Sequence, residues 1–136
     1  MDTAVNGFHH VKLPVADLPR SRDWYARVLG LQTHIEFVEE GVLMGVAMRD
    51  PGGSVDLALR HDPARAAALA GFDPLALRVP TPAALDAWQQ RLEDLGEPYG
   101  GIVTGHMGRV LVGLHDPDGI EIRLYLPAEA HAGGEQ

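Results

Sequence analysis

The sequence contains no cysteine. Disulfide staples, thiolate metal centres and a cysteine nucleophile are excluded together, and the absence suits a reducing compartment. Lysine is nearly missing too: Lys12 stands against ten arginines. Basic residues number 11 against 19 acidic ones, the formal net charge is −8 and the pI is about 5.2. No basic run offsets this balance, which argues against a nucleic-acid partner, because phosphate neutralisation supplies most non-specific affinity. No apolar run approaches the roughly 20 residues that span a bilayer; Val42 to Met48 is among the longest. The opening Met-Asp-Thr-Ala-Val-Asn lacks the basic-then-apolar order of a signal peptide. The expectation is a cytoplasmic protein with no membrane and no nucleic-acid partner.

What is present points to one folded domain over residues 1–136. A chain of this length buries roughly two-thirds of its unfolded surface. Hydrophobic residues at 46% against 22% charged exclude a disordered chain. The chain also repeats itself. At an offset of 64, Gly7-Phe8 falls on Gly71-Phe72, Leu13 on Leu77, Val15 on Val79, Arg27 on Arg91 and Leu31 on Leu95. The two tryptophans, Trp24 and Trp88, align with each other, and Asp50-Pro51-Gly52-Gly53 is echoed by Asp116-Pro117-Asp118-Gly119.

Each half reads as β-α-β-β-β. In the first, Val11, Leu13 and Val15 alternate onto one face of a strand. Asp17 or Ser21 opens a helix carrying Trp24, Val28 and Leu31 at helical spacing, and Gly30 ends it. Strands are expected over 32–39 and 42–49, and a fourth carries Val55, Leu57 and Leu59. In the second half, Leu75, Leu77 and Val79 mark a strand. Thr81 caps a helix with Pro82 at its first position, and Leu85, Trp88, Leu92 and Leu95 form its apolar stripe before Gly96. Strands are expected over 98–103 and 109–114, and a last one places Ile120, Ile122, Leu124 and Leu126 on one face. Both tryptophans read as core. The modules cover about 7–60 and 71–127, joined by an alanine-rich linker over 61–70 with helical character, and 128–136 form a flexible tail.

Two such modules, opening with Phe8-His9-His10-Val11 and running through Leu13, Val15 and Asp17-Leu18, and closing with Asp116-Pro117-Asp118-Gly119 and Leu124, resemble the vicinal oxygen chelate superfamily. That group contains glyoxalase I, bleomycin- and fosfomycin-resistance proteins and extradiol dioxygenases. The resemblance spans Gly7 to Pro127 and implies an α+β fold, two tandem βαβββ modules whose curved sheets enclose a cleft with helices outside. Alternation then turns His10, Lys12 and Pro14 to the cleft from the first strand, and Asp56, Ala58 and Arg60 from the fourth. Pro74, Ala76 and Arg78 follow from the fifth, and Glu121, Arg123 and Tyr125 from the last. His9 should face the other way from His10. Met44 and Met48 share a face as core filling or as an adaptable cleft wall.

The resemblance also implies a divalent metal held by a histidine of the first strand, a histidine opening the second module and a carboxylate of the final strand, sometimes with a fourth-strand carboxylate. Imidazole and carboxylate donors with open positions suit such an ion. His10 matches the first position. The second is Pro74, which has no donor, and the closing carboxylate is replaced by Arg123, whose guanidinium opposes a cation. The expectation is no cofactor. The alternative is an atypical site on His10 and Glu121, with Asp56, for manganese, nickel, zinc or iron.

Without a metal, Arg123 can hold a carboxylate or phenolate by charge-assisted hydrogen bonds. Glu121 partners Arg123 or a cationic ligand, and an ion pair between the two is an equally good reading. His10 is the general base suited to neutrality, so the catalytic candidates are His10, Glu121 and Arg123. Lys12, Asp56, Arg60 and Tyr125 are the substrate-binding candidates, with Tyr125 able to stack or donate. Two functions follow: a metal-independent binding or resistance protein for a small anionic or aromatic molecule, or an enzyme, either metal-free or a lyase, isomerase or dioxygenase with atypical ligands. By analogy the protein is a homodimer.

Overall fold

Asp17, extended at φ −137°, caps the first helix by accepting the Arg20 N–H at 3.1 Å, and Gly30 ends that helix in the left-handed region at φ 74°. Thr81 and Gly96 do the same for the second module's helix: Thr81 Oγ1 accepts the Ala84 N–H at 3.1 Å, and Gly96 sits at φ 67°. These caps satisfy backbone groups that a helix end leaves open. Ser21, the rival start, lies buried inside the helix. The computed structural model describes residues 2–128. The chain runs β1 (Val11–Val15), α1 (Leu18–Leu29), β2 (Gln32–Glu39), β3 (Val42–Arg49), β4 (Asp56–His61), α2 (Pro63–Leu69), β5 (Leu75–Arg78), α3 (Pro82–Leu95), β6 (Gly101–Gly105), β7 (Gly108–Val112) and β8 (Ile122–Pro127).

The elements form two compact units that divide between Arg65 and Ala66. Each holds a four-stranded sheet, ordered β1-β4-β3-β2 in the first and β5-β8-β7-β6 in the second. In both, the unit's first strand, at one edge, pairs parallel with its last strand, and the remaining pairs are antiparallel. The duplicated α+β architecture read from the sequence is therefore present. In the first unit Leu13, Val15, Val46, Met48, Leu57 and Leu59 are buried along with Trp24, Tyr25 and Val28 of α1. In the second, Leu111, Ile122, Leu124 and Leu126 are buried along with Leu85 and Leu92 of α3. Truncating one such leucine to alanine costs about 2–5 kcal/mol.

The two Asp-Pro turns are built alike. Asp50 accepts from Ser54 Oγ at 2.7 Å and from the Val55 N–H at 2.8 Å. Asp116, buried, accepts the N–H groups of Asp118 and Ile120 at 2.9 and 3.0 Å. Side chains of this kind organise turns by capturing nearby backbone donors.

The helical character expected in 61–70 is present as α2, whose start is held by Asp62 accepting the Arg65 N–H. Several other expectations shift. Pro98 brings no donor to a ladder, and β6 begins at Gly101. Strand β7 stops at Val112 because Gly113 turns to φ 77°. Before β8, Asp116 occupies the Ile120 N–H, and Glu121 makes only an isolated bridge with His115. Met48 is wholly buried core, not cleft wall. Trp88 is half-buried beneath the Arg91 guanidinium, 5.9 Å from the ring centre, whereas Trp24 is core. Of the expected tail, 128–136, residues 129–136 lie outside the described residues.

Candidate functional site

Because sheet residues directly opposite one another share a face, the register of the first sheet lays out rows on the side away from the core. One row reads Lys12, Ala58, Ala47, Ile35; the next reads Pro14, Arg60, Gly45, Phe37; a third joins Asp56, Arg49 and Gln32. A cavity of about 690 Å³ lies over these rows, lined also by His9, His10, His34 and Glu39. Its floor is small. A β-carbon added at Gly45 would stand 3.0 Å from the Leu59 carbonyl and 3.7 Å from Phe37 Cδ2, so glycine there lets Phe37 lie close to the sheet.

The rim is ionic. Arg49 Nη2 meets Asp56 Oδ2 at 3.2 Å, and His34 Nε2 lies 3.5 Å from Asp56 Oδ1. Partial burial works to raise the Asp56 carboxyl, but the hydrogen bonds and charges of Arg49 and His34 outweigh it and hold the group below the ordinary carboxylate range. Arg60 meets Glu39 at 2.7 Å, and Glu36 is taken by Arg22 at 2.9 Å.

Four sequence-derived candidates, His10, Lys12, Asp56 and Arg60, thus line one cavity. The opposite-face reading of His9 and His10 is corrected. Both precede β1, free of strand alternation, and their rings meet edge to face with Nδ1 atoms 2.9 Å apart. His9 and His34 line the cavity beside His10. His34, Phe37, Glu39 and Arg49 were missed. A bulge explains the first: pairing runs from Thr33 and Met48 straight to Ile35 and Ala47, leaving His34 as the extra residue. Arg49 was legible, being one step out of phase with buried Met48.

In the second unit, Glu121, Arg123 and Tyr125 follow the predicted alternation beside buried Ile122 and Leu124. Arg123 Nε donates to Glu121 Oε2 at 2.8 Å, Gly113 N–H donates to the same oxygen at 3.0 Å, and Arg123 Nη1 lies 3.3 Å from Asp73. The Gly113 N–H, followed by the Arg123 hydrogen bond and charge, outweighs burial and lowers the Glu121 carboxyl. The same pairing raises the Arg123 guanidinium. Tyr125 Oη lies 3.1 Å from where a Gly105 side chain would begin.

The profile of the Glyoxalase/Bleomycin resistance protein/Dioxygenase superfamily matches residues 7–124. The chain belongs to that superfamily. A putative ring-cleaving dioxygenase, MhqA of Bacillus subtilis (strain 168), is 31% identical over 139 residues, covering 96% of this chain and 42% of the relative. The chain therefore spans less than half the length of that protein. A glyoxylase/bleomycin resistance protein/dioxygenase domain from Frankia sp. EAN1pec superposes with a TM-score of 0.74 at 23% identity, covering 98% of this chain and 100% of the other. TnmS3, an antibiotic-binding protein from Streptomyces sp. CB03234, gives 0.75 at 23% identity over 93% and 100%. At those identities the two structures speak to the fold.

Membership raises the question of a metal: His10 suits the first superfamily position, but the side chains at the other two do not fit one. Pro74 offers no donor, Arg123 brings a cation, and the candidate carboxylates are engaged: Asp56 by Arg49 and His34, Glu121 by Arg123 and Gly113. Among the described residues no three His, Asp or Glu side chains gather as a ligand set. No helix among them is long and apolar enough to cross a membrane.

Proposed function

We propose that this chain binds a small aromatic or anionic molecule in the cavity over its first sheet and does so without a divalent metal, as a binding or resistance protein. The observation that carries this reading is a cavity of small-molecule size with an apolar floor and a rim whose carboxylates are already paired to arginines. Lys12, Asp56 and Arg60 are its binding residues, and Tyr125 is a stacking or donating residue on the second sheet. Should a ligand of this cavity also be turned over, His10 is the group that takes the proton; Arg123, positioned by Glu121, is separately the second unit's candidate for holding negative charge.

A second reading is a ring-cleaving dioxygenase with atypical ligands, favoured by the 31% identity to MhqA across 96% of the chain. Elemental analysis separates the two. Protein purified without chelators or a histidine tag, then soaked in manganese, nickel, zinc and iron(II), is expected to carry far less than one metal per chain. Stoichiometric metal would overturn the first reading, and oxygen uptake with dihydroxybenzenes would then test the second. The protein is taken to act in the cytoplasm as a homodimer; a light-scattering mass near the 14.7 kDa of one chain would refute the dimer.

A further inference from the structure

Resting on the cavity reading above, we infer that Lys12 selects the ligand's charge: the cavity takes a flat, apolar molecule bearing one acidic group at one end. Among the described residues, the charges lining the cavity are paired with one exception. Of the ionised side chains lining the cavity, Arg49 is matched by Asp56, Arg60 by Glu39, and Glu36 by Arg22 from outside it. Lys12 differs. Among the described residues its ammonium makes no ion pair and no hydrogen bond. An ammonium facing a cavity without a counter-ion gains most from an anion that the ligand supplies.

The register gives the ligand its shape. From Lys12 the row continues through two alanines to Ile35, with Phe37 in the adjacent row on the same strand. Three inter-strand steps separate Lys12 from Ile35, about 14 Å. Along that length the sheet offers methyl groups and then an aliphatic and an aromatic side chain, with no further unmatched charge. A two-ring aromatic acid has this length and this one-ended polarity, and a neutral analogue forfeits the Lys12 contact.

Two fluorescent probes that differ in the acidic group test the inference: anilinonaphthalenesulfonate and uncharged phenylnaphthylamine. The parent is expected to bind the sulfonate one-to-one and about tenfold more tightly than the neutral probe. Lys12→Met should erase that preference by weakening only the sulfonate, with an unchanged circular dichroism spectrum, and Lys12→Arg should retain it. An unaltered preference in Lys12→Met overturns the role of Lys12 while leaving the cavity reading intact. The cavity itself is tested by Ala58→Phe, which fills the floor and should weaken both probes about tenfold. If Ala58→Phe changes nothing, or the parent binds neither probe, the cavity reading falls and this inference with it.

Discussion

Arg123 and Glu121 lie two residues apart and are joined from Nε to Oε2 at 2.8 Å, on an oxygen that also accepts the Gly113 N–H at 3.0 Å. The pair is a structural clamp at the entry to β8. Glu121→Gln keeps the shape but removes the charge that Arg123 and Gly113 both use, and should cost about 1–2 kcal/mol in urea unfolding. The pH dependence has a definite sign. The folded-state value of Glu121 is lowered, so its contribution is complete above the ordinary glutamate value of about 4.3 and fades as pH falls through the lower folded value. The stability gap between parent and variant should close on acidification; a gap unchanged toward pH 3 would count against the clamp.

Gly113 holds the other side of that clamp, and its conformation admits no substitute. It sits at φ 77°, and an added β-carbon would stand 2.6 Å from Gly100 N and 2.8 Å from Gly100 Cα, both backbone atoms. Gly113→Ala combines left-handed strain of about 1 kcal/mol or more with a backbone collision. A loss above about 2 kcal/mol is expected in thermal or urea unfolding. A loss near zero would mean that the turn before β8 yields easily.

Where the chain keeps to regular strands, its site was legible. Alternation with buried Leu57 and Leu59 turned Asp56, Ala58 and Arg60 to one side, and Leu13 did the same for Lys12. The duplicated Asp-Pro turns and paired cap glycines gave the module plan for the same reason, since each is a local device with a fixed residue type. Legibility failed where backbone departs from the period of two. His34 is the extra residue of a bulge, which no alternation rule places, and His9 and His10 precede the strand and are free to turn together. Pairings such as Arg49 with Asp56 depend on cross-strand register, which hydrophobic patterning sets only indirectly.

The charge balance of the cavity makes a prediction in the opposite direction from the lysine variant. Asp56 neutralises Arg49 at 3.2 Å, so Asp56→Asn leaves Arg49 without its anion while preserving the hydrogen-bonding shape. An acidic probe should then bind up to about fivefold more tightly, with a steeper salt dependence, as an added half-exposed charge of 0.2–1 kcal/mol requires. Weaker binding of the acidic probe would show that Asp56 holds the ligand by a contact worth more than the charge of Arg49 that it neutralises.

His10 decides between binding and catalysis. Its Nδ1 stands 2.9 Å from that of His9, a distance at which one nitrogen donates and the other accepts. The ring is thus oriented by its neighbour at the edge of the cavity. A binding protein has little use for that orientation. With Lys12 supplying the charge and the alanine floor supplying contact, His10→Ala should change probe affinity by less than about threefold, close to the worth of one neutral hydrogen bond. A catalyst depends on it. Loss of a general base lowers turnover by about a hundredfold or more while leaving affinity nearly intact. Affinity and turnover of any substrate found in screening should therefore be measured on the same His10→Ala protein. An affinity loss beyond tenfold would make His10 a direct ligand contact and remove it from consideration as a base held in reserve.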